Sequence, residues 1–486
     1  LIRTDKQRTL TVAAWGLLVL TPFLMVGVIS VILGKNGFSA IPVWSDELDY
    51  WRSVYSWVNH GMRAGYTGIG ELTPEIGVLS VHGLGPILLY AWFARLFGWG
   101  YSAIILCNAL WVSAGAVVLL ALVRPKARTA LLLSLSMLLY APFVLYACTS
   151  MTEMANYGLL LAYAGLLYRL DQKASLQALL LTVALTTFLS VYRIIYFLLY
   201  LPVAFVACGK RISWRLVFWL LVTVVVSYGI NVVSRMITSP YESGFLYHFL
   251  RAEPREAALM FYYHALDNLQ DYFVREMAHG SEAAQRWLYC IIMALCGVGA
   301  LLKKNRLRGL CAAGFLLLLL PWMVVILFYE TQDWADYRSL APFLWLVIAG
   351  FILRGGKLIP ATFLAGCAVI LVMLVTGAPE GSFADTTRFD PEPFSEDLQE
   401  LCEQIPYEPD ADDPFTNTVR TEMMNIQVMA QLHPGLGVQS GIMYEDNTGK
   451  SRWILTRFLR IYVPDFVTVT DNSAGGLYRS AVDGEE

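Results

Sequence analysis

Acids and arginines that could work together lie at few places in this chain. Asp46, Glu47 and Asp49 come first, then Glu153, Arg193, and finally Asp333, Asp336 and Arg338, with His82 at the same kind of position. A carboxylate can take the proton of an attacking hydroxyl. A guanidinium can hold the charge that grows on a departing phosphate. Together they are the minimum equipment for moving a group from a phosphate to an alcohol. Taken singly, each has a plainer reading. Ser45 or Asp46 would serve as an N-cap, Arg193 would snorkel to lipid headgroups, and an interfacial His often only hydrogen-bonds. The set as a whole points to a site.

What positions these residues is set by composition. Of 486 residues 57% are hydrophobic and 15% charged, with mean hydropathy +0.54. A soluble chain carries about a quarter charged residues, so the composition excludes most soluble enzymes and basic nucleic-acid-binding domains. Apolar runs near 9–34, 102–123, 129–147, 154–169, 175–191, 194–208, 214–236, 287–302, 309–328, 341–353 and 358–376 predict an α-helical polytopic membrane protein with about eleven transmembrane helices. Lys and Arg collect in every second loop: Arg3, Lys6 and Arg8; Arg124, Lys126 and Arg128; Arg169 and Lys173; Lys210, Arg211 and Arg215; Lys303, Lys304, Arg306 and Arg308; Arg354 and Lys357. Cytoplasmic loops gather such residues, so the N-terminus is expected in the cytoplasm. All the candidate site residues then fall at span ends on the opposite face.

Residues 1–376 are expected to form the transmembrane catalytic domain, with a first outer loop at 35–101 and a large outer loop at 237–286. Leu84–Phe97 and the aromatic, charged 237–286 stretch read as interfacial helices on the outer face. Residues 380–413 are rich in Asp, Glu and Pro, and β-prone runs follow at Thr416–Arg420, Trp453–Phe458 and Phe466–Thr470. The segment 377–486 is therefore expected to be a small extracytoplasmic α/β domain. Seven of the eight cysteines fall in or beside apolar spans, Cys402 alone lies in the tail, and no Asn-x-Ser/Thr sequon occurs. These features lean towards a bacterial plasma (inner) membrane.

Other chemistries are missing. There is no CxxC pair and no HxxxH, so a zinc site is not indicated. Thr448–Ser451 ends like a phosphate loop, but Tyr444 stands where that motif needs Gly. The glycines at 65, 68 and 70 do not follow a strand. Span interiors carry almost no ionisable residues, unlike ion-coupled transporters. Outside the cytoplasm nucleotide sugars are absent and ATP is scarce, so group transfer must draw on a donor anchored in the membrane. A polyprenyl phosphate sugar, with its reactive C1–O bond at headgroup level, meets that need. Two rivals stay open: a lipid or polysaccharide transporter without chemistry, and a polymerase or ligase using a diphosphate-linked donor.

Trp44-Ser45-Asp46-Glu47-Leu48-Asp49-Tyr50 resembles the acidic motif of GT-C fold glycosyltransferases, the class of protein O-mannosyltransferases and of lipid A aminoarabinose transferase. His82-Gly83-Leu84-Gly85-Pro86 with Leu96-Phe97-Gly98, Thr152-Glu153, and Arg338-Ser339-Leu340-Ala341-Pro342 are similar to further motifs of that class. The resemblance covers about residues 1–376 and implies a GT-C fold and an inverting hexosyl-type transfer. It makes Asp46 the catalytic base with Glu47 its neighbour. Glu153 becomes a second acid that orients the acceptor or helps bind a divalent metal, which the residues leave unknown. His82 and Arg338 become contacts to the donor phosphate, and Arg193 is the remaining cation at that level. Ser339 in place of Tyr, and Gly85 in place of a proline, depart from the family's pattern and bear on the shape of the donor pocket. The implied partners are a polyprenyl phosphate sugar, membrane lipids and an acceptor, an O-antigen or other cell-envelope glycan or else a protein hydroxyl. No nucleic acid is among them.

Overall fold

Two helices approach so closely that only glycine fits between them. These are α3 (Ala103–Val123) and α6 (Glu153–Gln172). A Cβ on Gly115 would lie 1.9 Å from the carbonyl oxygen of Gly158, and one on Gly158 would lie 2.3 Å from that of Trp111. Small residues at such a seam let backbones touch, which is how helices gain packing energy where lipid removes the hydrophobic drive. Helix α6 is the centre of the bundle and is buried continuously from Glu153 to Leu161.

The computed structural model describes residues 5–40, 46–47, 50–51, 54, 57–58, 84–98, 100, 102–209, 214–235, 245–274, 280–302, 306–329, 336–376, 442–445, 452–456, 466–472 and 475–480. Around α3 and α6 stand α1 (Asp5–Leu33), α2 (Gly85–Phe97), α4 (Ala127–Leu138), α5 (Ala141–Tyr146), α7 (Leu176–Tyr192) and α8 (Tyr200–Ala207). Then follow α9 (Trp214–Arg235), α10 (Phe245–Arg251), α11 (Pro254–Phe273), α12 (Gly280–Leu302), α13 (Arg306–Phe328), α14 (Ala341–Leu353) and α15 (Leu358–Thr376). Among the described residues, five helices are long and apolar enough to cross a membrane: those over Lys6–Leu33, Ala103–Val123, Gly280–Leu302, Leu307–Phe328 and Leu358–Thr376. Large apolar side chains such as Val31, Leu180, Leu221, Leu301 and Val375 are exposed, as lipid-facing residues should be. The chain is a multi-pass helical membrane protein.

Several expected spans are interrupted. The 129–147 run is α4 and α5 with a break at Tyr140, whose extended backbone (φ −79°, ψ 111°) precedes Pro142. Proline has no N–H to give and clashes with the carbonyl four residues back; here the helix breaks, whereas α1 and α13 run on through Pro22 and Pro321. The 194–208 run is a 3-10 segment, Ile194–Leu199, followed by the short α8. The 287–302 run extends back to Gly280. Leu84–Phe97 forms α2 as an amphipathic helix that buries Ile87, Leu89, Tyr90 and Phe93 on the bundle and exposes Leu88, Trp92, Leu96 and Phe97. The 237–286 loop contains α10 and α11.

In the tail four strands, β1 (Ile442–Glu445), β2 (Arg452–Thr456), β3 (Phe466–Asn472) and β4 (Gly475–Ser480), make an antiparallel sheet in the order β1-β2-β4-β3. The 380–413 segment, the Thr416–Arg420 run, Cys402, Thr448–Ser451 and the glycines at 65, 68 and 70 lie outside the described residues.

Candidate active site

Glu153 is the first residue of α6 and Arg193 caps the end of α7. Each charge complements the helix end it occupies, a carboxylate at the positive end and a guanidinium at the negative end. Arg338 lies in a π-helical turn, Asp336–Leu340, which closes where Pro342 starts α14. Asp46, Glu47, Tyr50, Trp51 and Val54 are each helical, and the last four are buried at i, i+3, i+4 and i+7, the spacing of one helix face. Trp51 Nε1 donates to the Gly100 carbonyl at 3.4 Å and ties that stretch to the start of α3.

These segments converge on one cluster. Arg338 Nε donates to Glu153 Oε1 at 2.8 Å, and Arg338 Nη1 lies 2.5 Å from Asp46 Oδ2. Arg193 Nη2 pairs with the same Glu153 oxygen, and Arg193 Nη1 donates to the Arg338 carbonyl at 3.1 Å. Arg338 Nη2 reaches the Tyr50 hydroxyl at 3.3 Å. Glu153 is 1% exposed, whereas Asp46 is 23%, Arg193 18% and Arg338 27% exposed. The second acid is thus sealed in, while Asp46 and the arginines are partly exposed. Burial works against the Arg338 cation, but Glu153 and Asp46 outweigh it and hold the group well above the usual guanidinium range. Burial pushes the Tyr50 phenol up to about 12, against the pull of Arg338, so Tyr50 stays a neutral donor and acceptor.

The loop that presents Glu153 is fixed from three sides. Glu47 Oε1 accepts from the Ser150 N–H at 2.5 Å, Asn108 Nδ2 donates to the Met151 carbonyl at 2.7 Å, and Tyr192 OH donates to the Thr152 carbonyl at 2.6 Å. Asn108 is in turn oriented by Tyr90 OH at 2.7 Å. Glu47, fully buried, spends an oxygen on this loop. Its place is that of a positioning group beside Asp46. The sequence offered little signal for Asn108 or Tyr192, because a polar residue in an apolar run reads as core until its partners are known.

Of the residues singled out from sequence, Asp46, Glu153, Arg193 and Arg338 come together and Glu47 supports them. His82, Asp49 and Asp333 lie outside the described residues, as does the side chain of Asp336. Among the described residues no group of three or more His, Cys, Asp or Glu side chains is placed to hold a metal ion. Asp46 and Glu153 are engaged by guanidinium groups, so the donor set among the described residues does not fit a divalent ion.

No protein-family model matches the chain, and no curated protein does. The chain is similar in structure to an oligosaccharyltransferase. That protein, from Archaeoglobus fulgidus in its apo form, matches at TM-score 0.43 and 12% identity over 86% of this chain and 59% of its own length. This chain therefore spans about three fifths of that protein. ArnT from Cupriavidus metallidurans matches in its apo state at TM-score 0.33 and 13% identity, over 95% of this chain and 98% of ArnT. The same protein bound to undecaprenyl phosphate matches at TM-score 0.34 and 13% identity, over 94% and 97%.

Proposed function

We propose that this chain is an inverting glycosyltransferase that moves a sugar from a polyprenyl phosphate donor to an acceptor hydroxyl at the extracytoplasmic face of a bacterial inner membrane. The observation that carries the reading is the single cluster of Asp46, Glu153, Arg193 and Arg338, drawn from four separate segments. Asp46 takes the proton of the acceptor hydroxyl as its oxygen bonds to C1. The C1–O bond to phosphate breaks in the same step, and the polyprenyl phosphate leaves with the electron pair, held by Arg338 and Arg193. One displacement inverts the anomeric centre. A sugar does not fit between Arg338 and Asp46 at 2.5 Å, so the donor phosphate must first take over Arg338 and free Asp46 Oδ2. Glu153 keeps both arginines in place meanwhile. His82 is assigned to the phosphate side on the motif alone.

The reading extends to the whole chain: about eleven spans over residues 1–376 with the N-terminus in the cytoplasm, and an extracytoplasmic α/β domain over 377–486 that helps grip a cell-envelope glycan such as O-antigen. The test is incubation of the purified protein with synthetic polyprenyl monophosphate and diphosphate sugars. Free polyprenyl phosphate should appear from the monophosphate donors when an acceptor hydroxyl is present. Product from diphosphate donors alone would make it a polymerase or ligase, and none from either would overturn the transferase reading in favour of a chemistry-free role such as transport.

A further inference from the structure

One helical turn below the charged cluster, α6 and its neighbours hold hydrogen-bonding capacity that nothing in the cluster uses. Glu153 Oε2, both amide atoms of Asn156, the hydroxyls of Tyr157 and Tyr196, and Trp345 Nε1 are all buried without a hydrogen-bond partner among the described residues. Each of these residues is at most 1% exposed. Interiors pair about 90% or more of such groups, so a concentration of unpaired ones in a single region calls for a ligand. Glu153, Asn156 and Tyr157 stand at i, i+3 and i+4, on one face of α6. Tyr196 follows Arg193, whose side chain already grips Glu153. The Tyr157 ring meets Trp345 edge-on at 5.8 Å, and the Tyr196 ring packs on Phe343 at 5.5 Å, so α14 forms the opposite wall.

The chemistry of the capacity defines the ligand. Two phenols, an indole N–H and a carboxamide offer donors and acceptors in mixture, and aromatic rings form the walls. The layer above balances two carboxylates with two guanidiniums, so there is no net charge to attract an ion. Groups of this kind suit a neutral ring bearing several hydroxyls. Resting on the glycosyltransferase reading, we propose that Asn156, Tyr157, Tyr196 and Trp345 form the subsite that takes the hydroxyl face of the transferred sugar, with Glu153 Oε2 at its rim. The subsite is closed by the Asp46–Arg338 pair, and opens when the donor phosphate draws Arg338 away. Sugar recognition and release of the base are thereby one event. Enclosed water is the other source of hydroxyls for the same groups, and the test separates the two.

Tyr157→Phe and Tyr196→Phe each delete one hydroxyl and keep the ring. Wild type and variants are assayed with polyprenyl phosphates carrying glucose, galactose, mannose or arabinose, and for binding of bare polyprenyl phosphate. With the donor that wild type uses, each variant should raise KM about tenfold, the value of about one hydrogen bond, with kcat nearly unchanged. A donor lacking the matching ring hydroxyl should abolish the difference between variant and wild type. Binding of bare polyprenyl phosphate should be unchanged in both variants. Wild-type KM in both variants would assign the groups to water and overturn the subsite while leaving the transferase reading intact. Equal loss of bare-lipid binding would overturn it as well, marking the tyrosines as structural. If wild type binds no polyprenyl phosphate and turns over no donor, the transferase reading falls, and the subsite with it.

Discussion

Asp46 and Glu153 are both bonded to Arg338, yet their surroundings give them different work. Asp46 is 23% exposed and able to meet an acceptor, whereas Glu153 is 1% exposed and shared between two guanidiniums. Asp46→Asn should therefore cut transfer by about 10²- to 10⁴-fold, the usual contribution of a general base, with polyprenyl phosphate binding retained. Turnover and lipid binding measured on the same preparation check this, and near-normal turnover would remove Asp46 from the base role. Glu153→Gln should behave otherwise. It leaves Arg193 and Arg338 without their shared counter-charge and should cost up to about 3 kcal/mol of stability, the lower end for breaking a buried pair, because the arginines keep part of their hydration. Thermal unfolding in detergent reads that loss, and an unchanged midpoint would contradict a structural load on Glu153. These residues were legible in the sequence because acids and arginines gather at span ends on the side opposite the basic loops. Asn156, Tyr157 and Tyr196 were not, since uncharged polar residues are ordinary inside helix bundles. Glu47 was legible as an acid but not as the anchor of the Ser150 N–H, because that contact joins positions a hundred residues apart.

The helices that carry the cluster owe their placement to two devices, breaks and close seams. Pro142 and Pro342 each stand in the first turn of a new helix, just after a break at which a side chain turns inward. Tyr140, at the first break, donates to the Ala341 carbonyl at 2.9 Å and accepts from Gln285 Nε2 at 3.2 Å. The break before α5 is thereby locked to the start of α14, next to the turn that holds Arg338. Apolar periodicity could place the 129–147 and 194–208 runs in the membrane, but not their interruptions, because hydropathy averages over the residues at which a backbone turns. The α3–α6 seam was equally hidden, since a glycine's neighbours belong to another helix. Gly158→Ala would push a Cβ to 2.3 Å from the Trp111 carbonyl oxygen, where only backbone movement relieves it. Overpacking of this kind costs about 1–3 kcal/mol, and moving α6 also moves Glu153, so the variant should lose both melting temperature and transfer. Gly27→Ala has nothing within 4 Å and sits inside α1, so it should be neutral or gain about 0.5–1 kcal/mol from helix propensity. Equal melting temperatures for the two variants would show that the seam is not as tight as described.

Across the whole molecule, α6 and α14 run side by side and are pinned at both ends by an arginine and an acid. Arg338 meets Glu153 at one end, and Arg354 pairs with Asp171 at the other while lying 4.5 Å over the Tyr168 ring. From Glu153 to Asp171 a helix rises about 27 Å, close to the roughly 30 Å hydrocarbon thickness of a bilayer. On the proposed topology the two pairs sit near opposite membrane faces, the second, beside Lys173 and Lys357, on the cytoplasmic side. The cluster then faces outward, where a lipid-linked donor would be the source of activated sugar. Ser39, at the outer end of α1, and Lys126, between α3 and α4, are both exposed. In a cysteine-free background, Ser39→Cys should react with a membrane-impermeant maleimide in intact cells, and Lys126→Cys only after the membrane is opened. Reversal of that pattern would put Asp46, seven residues beyond Ser39, in the cytosol. Soluble nucleotide sugars would then serve as donors, and the need for a polyprenyl carrier, on which the proposed chemistry depends, would disappear.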